Sequence, residues 1–404
     1  MKINCAYKTE LDPNKTQLFS LKKHAGAARF AFNWGLGRRI EEYKKTGKSP
    51  NAIEQHKQLN ALKETEFPWM YEVSKCAPQE ALRNLDKAYA NFFRRVKLLK
   101  EGKGFKVGFP KFKSKKRGLG SFRLAGAIHV SDSTVSLPRI GKVRLKEKGY
   151  IGGCQTEGVK INSATVSERA GRWFVSISVE QEIEVYAGEG LPIGVDLGLK
   201  KMAVCSTGQT FDNPKALRRN LRKLARLQRK LSRQKKESKR REKSRLRIAK
   251  LHYRISNIRK DAIHKATSQI VAKNKPPTLR PAAIVVEDLN VSGMLSNRKL
   301  SRAIADVSFG ELRRQLSYKC SWYCVKLIVA DRFFASSKTC SGCGAIKQTL
   351  ELSEREYVCA ECGLILDRDL NAALNLQKLA GSSSERINAR GEDVRPTQKV
   401  GNPL

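Results

Sequence analysis

The sequence predicts an α/β protein that also carries an all-β part and an α-helical part. Three observations predict it. Residues from about Phe19 to Leu99 have helical periodicity. Residues from about Ser121 to Glu184 read as short strands broken by turns. Beyond residue 191, compact apolar strand patterns alternate with long helical ones.

The elements follow in order. Met1 to about Leu18 reads as a short strand and a turn at Asp12-Pro13. His24, Ala28, Phe32, Leu36 and Ile40 recur near a 3.6-residue period, and so do Ala81, Leu85, Ala88 and Phe92. Residues 94–117 hold eleven Lys/Arg and one acid, interleaved with Phe105, Phe109 and Phe112. Such a mixture suits a nucleic-acid backbone with rings free to stack, or a basic loop whose phenylalanines anchor it to a core. Val135-Ser-Leu, Lys142-Val-Arg-Leu, Val159-Lys-Ile and the alternating Arg172 to Glu180 predict short strands of a small barrel or sandwich. Glu189-Gly190 and Pro192 mark a boundary. Pro192 to Cys205 reads as two strands around a turn.

Residues 214–260 carry 21 Lys/Arg and two acids, with leucine stripes at either end. This predicts a helical hairpin with a solvated basic tip. Ala282 to Leu289 and Val325 to Ala330 read as buried strands, separated by an amphipathic helix over 309–324 that carries Cys320 and Cys324 as packing residues. Leu366 to Gln377 begins a last helix, and the tail from residue 381 lacks periodicity and predicts disorder.

The charge narrows the partner. With 80 Lys+Arg against 38 Asp+Glu, the 404-residue chain has a formal net charge of +42. An apolar content of 40% excludes global disorder. No apolar run approaches the ~20 residues of a membrane span. Met1 to Cys5 lacks a signal-peptide stretch, so a cytosolic protein is expected. Such an excess of positive charge calls for a polyanion, and nucleic acid fits better than a membrane surface.

Four of the ten cysteines form Cys340-x2-Cys343 and Cys359-x2-Cys362, fifteen residues apart. In a cytosolic chain this spacing predicts a tetrahedral zinc ribbon; reduced metal-free pairs or a redox pair are the other readings. A redox pair would need a βαβ setting that these loops lack. Each pair runs into a glycine, which permits a tight turn with amides aimed at the thiolates. Four thiolates leave no open position, so the ion is structural.

Three carboxylates stand at the ends of apolar segments: Asp196, Glu287 and Asp369, the last two residues after Asp367. Converging carboxylates repel one another and require cations, and oxygen ligands suit Mg²⁺ or Mn²⁺. Two such ions would serve phosphodiester cleavage. Taken singly, each acid also reads as a hydrogen-bonded structural residue, and Asp369 as a helix N-cap.

The order of these parts resembles the TnpB family, transposon-encoded RNA-guided endonucleases related to type V CRISPR effectors. The resemblance lies in Gly194-Val-Asp-Leu-Gly-Leu-Lys, Val286-Glu-Asp-Leu, both Cys-x2-Cys pairs and Asp367-Arg-Asp-Leu-Asn-Ala-Ala-Leu-Asn. Weaker matches are Ala28-Arg-Phe-Ala-Phe-Asn-Trp and Val107-Gly-Phe-Pro-Lys-Phe. The resemblance implies an RNase H-like (RuvC) nuclease domain over 191–335 and 364–380, interrupted by a zinc ribbon over 336–363. It implies a β-barrel-like wedge domain over 1–18 and 103–190, with a helical recognition domain inserted over 19–102. Asp196, Glu287 and Asp369 would be the catalytic, magnesium-binding acids. A guide RNA from the transposon end and double-stranded target DNA would be the partners, in a prokaryotic cytosol and on the nucleoid. A monomer and a dimer both remain open. Competing classes are a nuclease-inactive RNA-guided repressor, which is expected to lack acids that are present here, a transposition protein, and an actin-like ATPase. The last two lack their nucleophile or further phosphate motifs in this sequence.

Overall fold

The structure, a computed structural model, describes every residue except 103–106, 116–117, 155, 185, 352 and 383–404. Phe105 and residues 383–404 of the expected disordered tail therefore lie outside the described residues, whereas 381–382 are helical. The chain divides into two compact units, Met1–Glu184 with Arg245–Lys250, and Val185–Ser244 with Leu251 onward.

In the first unit, β1 (Lys2–Asp12) leads into α1 (Lys15–Thr46). That helix starts four residues before the position expected from periodicity. The cause is a reciprocal cap: Asn14 Oδ1 accepts the Gln17 N–H at 2.8 Å, and Gln17 Oε1 accepts the Asn14 N–H at 3.0 Å. Then come α2 (Ala52–Ala61) and α3 (Cys76–Lys100). The strands are β2 (Ser121–Leu124), β3 (His129–Val130), β4 (Thr134–Leu137), β5 (Gly141–Leu145), β6 (Lys160–Arg169) and β7 (Arg172–Glu182). They form one seven-stranded antiparallel sheet in the order β2-β6-β7-β1-β5-β4-β3. The N-terminal strand is central, pairing with β7 from Lys2↔Glu182 to Leu11↔Trp173. One face of the sheet (Leu124, Val135, Val143, Val166, Val175, Ile177) shares a core with Leu21, Ala28, Phe32 and Leu36 of α1 and Leu82 and Leu85 of α3. The two helices approach closely at Gly35, where a Cβ would lie 2.6 Å from Leu82 Cδ2.

Two buried polar residues tie these helices together. His24 is fully buried; its Nδ1–H donates to Ser20 O at 2.8 Å and its Nε2 accepts the Ser74 N–H at 3.0 Å. Both ring nitrogens are thus used by a neutral imidazole, and burial pushes its pKa below the ordinary value. Arg39 of α1 donates to Gln55 of α2 at 3.0 Å and pairs with Asp86 of α3.

The second unit is built on a five-stranded sheet: β8 (Ile193–Asp196), β9 (Lys201–Cys205), β10 (Thr210–Asp212), β11 (Ala283–Glu287) and β12 (Lys326–Ala330). The order is β10-β9-β8-β11-β12; the first three strands are antiparallel, and β11 runs parallel to both β8 and β12. Between β10 and β11 lie α4 (Ala216–Ser232) and α5 (Lys239–Ile270), the expected hairpin. Between β11 and β12 lie α6 (Val291–Ser296), α7 (Ser301–Val307) and α8 (Phe309–Trp322). The hairpin β13 (Glu356–Val358) and β14 (Ile365–Asp367) follows, then α9 (Arg368–Ser382).

Strand alternation sorts the faces. Val195, Ile284 and Val286 join a core with Ile263 and Ile270 of α5 and Leu312 and Leu316 of α8. Val285 turns the other way and packs with Leu376 of α9. Two expectations are corrected. The β12 strand is half-exposed rather than buried, because it is the sheet's edge. Cys320 is buried as expected, but Cys324 is exposed, since the helix ends at Trp322 and Cys324 has a left-handed φ of 48°. Among the described residues, no helix is long and apolar enough to cross a membrane.

Removing Arg39 leaves the buried Gln55 Oε1 without its donor, whereas Asp86, 40% exposed, keeps the Ala52 N–H. Arg39→Met should therefore cost about 1–2 kcal/mol in chemical denaturation, as an unsatisfied buried acceptor does. For His24 the folded pKa lies below the unfolded one, so the unfolded chain binds the extra proton. Stability should fall as the pH drops below the unfolded value of about 6.5. The melting temperature of His24→Gln should decline less between pH 7.5 and 5.5 than that of the unsubstituted protein.

Candidate functional site

Asp196 ends β8 and Glu287 ends β11. The parallel register pairs Ile284 with Ile193, Val285 with Gly194 and Val286 with Val195. Glu287 is therefore the next residue beside Asp196, and alternation puts both on the face that α9 covers. The helix and strand match step for step. Gln377 Nε2 donates to Pro192 O at 2.8 Å. A Cβ on Gly194 would lie 1.9 Å from Ala373 O, so only glycine allows this approach. Four helical residues rise about 6.0 Å and two strand residues about 6.6 Å, so the next pair in this series is Asp369 with Asp196.

The electrostatics agree with that placement. Asp196 is 9% exposed, and its pKa is raised well above the usual carboxylate range. Burial is the main cause, followed by the charges of Glu287 and Asp369, with Arg368 opposing them. The two neighbouring aspartates divide their tasks. Asp367 Oδ1 accepts the N–H groups of Asp369 and Leu370 at 3.0 and 3.1 Å, so Asp367 is the cap. Asp369 is not needed for capping. Likewise Asp288 is occupied by Arg313 at 2.7 Å and Arg332 at 2.6 Å, whose guanidiniums hold its pKa down. Glu287 instead accepts the Ser336 hydroxyl at 2.5 Å. A buried carboxylate crowded by two half-buried ones suits a hard divalent cation.

The four cysteines offer sulfurs that all lie within 4.8 Å of one another. The Cys340–Cys362 and Cys343–Cys359 separations are both 3.6 Å. A tetrahedron with Zn–S bonds of about 2.3 Å has edges of about 3.8 Å, so the donor set fits zinc. The two knuckles are alike. The N–H of Cys340 donates to Ala345 O and that of Cys359 to Leu364 O, both at 2.8 Å. Gly344 and Gly363 adopt left-handed φ values of 82° and 70°, as the sequence required. Gly342 N–H points at Cys340 Sγ at 3.3 Å. Against burial, the amides of Cys343 and Gly342 and the neighbouring thiols bring Cys340 down to about 6. Cys343 rises to about 12: the Ala345 amide favours its thiolate, but the other three cysteines outweigh it.

Basic surfaces occur in each unit. On the α4–α5 hairpin Arg222, Lys223, Arg226, Arg229 and Lys230 are exposed, and Arg241 closes the turn by donating to Leu231 O and Gln234 O at 2.6 and 2.8 Å. In the first unit a cavity of about 350 Å³ is lined by Arg29, Lys111, Phe112 and Lys113. Asn33 pins this segment through both backbone groups of Lys113. Phe109 packs edge-on against Tyr89 and Phe92 yet is 46% exposed, and Phe112 is 55% exposed, so both rings present surface to solvent.

Sequence reasoning missed Ser336, Asn371 and Asn375. Asn371 and Asn375 stand one helical turn apart and are almost wholly buried, a spacing that marks a polar stripe on an otherwise apolar face.

Three sequence families match. The OrfB_IS605 family, described as "Probable transposase", matches residues 174–298. The Cas12f1-like TNB domain matches 309–376. The family's helix-turn-helix domain matches 1–48, which here form β1 and α1. A protein of Streptomyces pristinaespiralis named "Putative RNA-guided DNA endonuclease" is 33% identical over 98% of this chain and 92% of its own length. Escherichia coli K12 InsQ, which carries the same description, is 33% identical over 92% of this chain and 91% of its own. Among solved structures, that of the Cas12f1–sgRNA–target DNA complex is similar in fold, with a TM-score of 0.55 and 16% identity over 90% of this chain and 82% of that one. With full-length relatives at this identity, the chain belongs to the TnpB family.

Proposed function

We propose that this protein is an RNA-guided endonuclease that cuts double-stranded DNA beside a short flanking motif, guided by an RNA from the end of its transposon. The observation that supports the reading most is that Glu287, beside Asp196 on the five-stranded sheet, and Asp369, on the helix α9 that covers it, both act on the buried Asp196, in a chain of charge +42. Three antiparallel strands continued by two parallel ones support an RNase H-like (RuvC) nuclease domain over 191–335 and 364–380, with the zinc ribbon inserted at 336–363. The seven-stranded sheet supports a wedge domain over 1–18 and 103–190, and α1 to α3 a helical recognition domain over 19–102.

Asp196 and Asp369 would hold divalent cations, with Glu287 completing the set. Mg²⁺ or Mn²⁺ bound there would supply a nucleophilic water at neutral pH and charge stabilisation at the phosphate. The carboxylates orient the site, and in-line attack leaves 5′-phosphate and 3′-hydroxyl ends. Zinc would be structural. The hairpin's basic face would hold the RNA or the RNA–DNA heteroduplex by its backbone, leaving base pairing to read the target.

With guide RNA and Mg²⁺ present, Asp196→Ala should abolish cleavage while leaving guide-RNA affinity unchanged. Full cleavage by that variant would sink the reading. Without divalent ions, Asp196→Asn should melt at a higher temperature than the unsubstituted protein at pH 7, because it removes a buried charge from the acidic cluster; adding Mg²⁺ should narrow the gap. Guide-RNA affinity should fall about 10³-fold or more between 50 and 200 mM salt. Replacing Arg222, Arg226 and Arg229 with Gln together should flatten that dependence; an unchanged slope would remove the hairpin from the interface.

A further inference from the structure

Ser336 lies in the turn after β12 and is 3% exposed. Its hydroxyl donates to Glu287 Oε1, which claims one of that carboxylate's two oxygens. Ser336 is held in turn by α9. Asn375 Nδ2 donates to Ser336 O at 2.8 Å and to Thr339 O at 2.6 Å. One turn earlier, Asn371 Nδ2 donates to Thr339 O at 2.7 Å, and its Oδ1 accepts the Ser341 N–H at 2.9 Å. Ser341 follows the first zinc-site cysteine, Cys340. An unbroken run of buried and part-buried hydrogen bonds thus joins the first cysteine knuckle to Glu287, and it is anchored on the helix that carries Asp369.

We propose that Ser336 is a positioning residue for Glu287, and that the first knuckle of the zinc centre holds Ser336 in place through Asn371 and Asn375. The inference rests on reading Glu287 as a cation-binding carboxylate. A fixed donor on one oxygen stops the carboxylate from rotating and leaves Oε2 as the ligand atom. Hydrogen-bond partners that orient metal ligands are commonly worth ~10- to 100-fold in metal affinity. The zinc centre then has a second task besides folding its own loop: it keeps a nuclease carboxylate aimed. A serine that served packing alone would affect stability and leave cation affinity alone.

The test is Mn²⁺ binding to the full chain, followed by the electron paramagnetic resonance of free Mn²⁺, with melting temperature and guide-RNA affinity measured alongside. Asp196→Ala should lose the Mn²⁺ site. Ser336→Ala should weaken binding by about 10-fold with little change in guide-RNA affinity, and Ser336→Thr should restore most of it. Asn375→Ala should weaken Mn²⁺ binding in the same direction, and the Mg²⁺ concentration for half-maximal cleavage should rise in parallel. If Ser336→Ala does not fold, Ser336→Cys replaces it, because a thiol is a weak donor. Unchanged Mn²⁺ affinity in a folded Ser336 variant that lacks the hydroxyl overturns the proposal. Equal Mn²⁺ binding by Asp196→Ala and the unsubstituted protein overturns instead the nuclease-site reading beneath it.

Discussion

The candidate nuclease site depends on one close approach, that of α9 to β8 at Gly194. No side chain separates the Ala373 carbonyl from that strand. The helix can therefore lie with its turns in step with alternate strand residues, and the Gln377–Pro192 hydrogen bond fixes the phase. Any residue larger than glycine at 194 would lift or slide the helix. A slide of one residue would rotate Asp369 by about 100° around the helix axis and carry it off the face that Asp196 and Glu287 share. The acids are consequently placed by backbone packing, and their long separation in sequence does not matter.

The same packing explains why a chain so rich in lysine and arginine can sustain an acidic centre. Nearby basic groups are turned to other tasks. Arg313 and Arg332 are bound to Asp288, and Arg368 donates to the carbonyls of Glu351 and Glu354. Arg368 offsets only part of the repulsion at Asp196, whose pKa stays high. Burying Asp196 beside two further acids is therefore a cost to the fold.

Much of this was legible in the sequence. The strand ends at Asp196 and Glu287 showed as apolar runs closing on an acid, and the cysteine spacing with its glycines specified both knuckles. Which of Asp367 and Asp369 caps α9 shows only in the hydrogen bonds that make Asp367 the cap. What stayed hidden depended on neighbours far along the chain. Nothing local distinguishes Ser336 from other serines, since its partner Glu287 is 49 residues away. Periodicity also could not show that β12 lies at an edge, because an apolar run looks the same with one neighbour or two. The start of α1 at Lys15 was readable from the Asn-x-x-Gln pattern, but the turn signal of Asp12-Pro13 hid it.

Asp196 and Asp369 stand 173 residues apart in the chain, with two groups of helices, α4–α5 and α6–α8, and the four-cysteine hairpin between them. Closing a segment of that length carries a large ordering cost before any contact rewards it. Local pieces such as the α4–α5 hairpin and the cysteine knuckles can form early, whereas the meeting of β8 with α9 must come late. The acidic centre thus depends on one of the longest-range contacts of the second unit, whereas the basic hairpin rests on local ones.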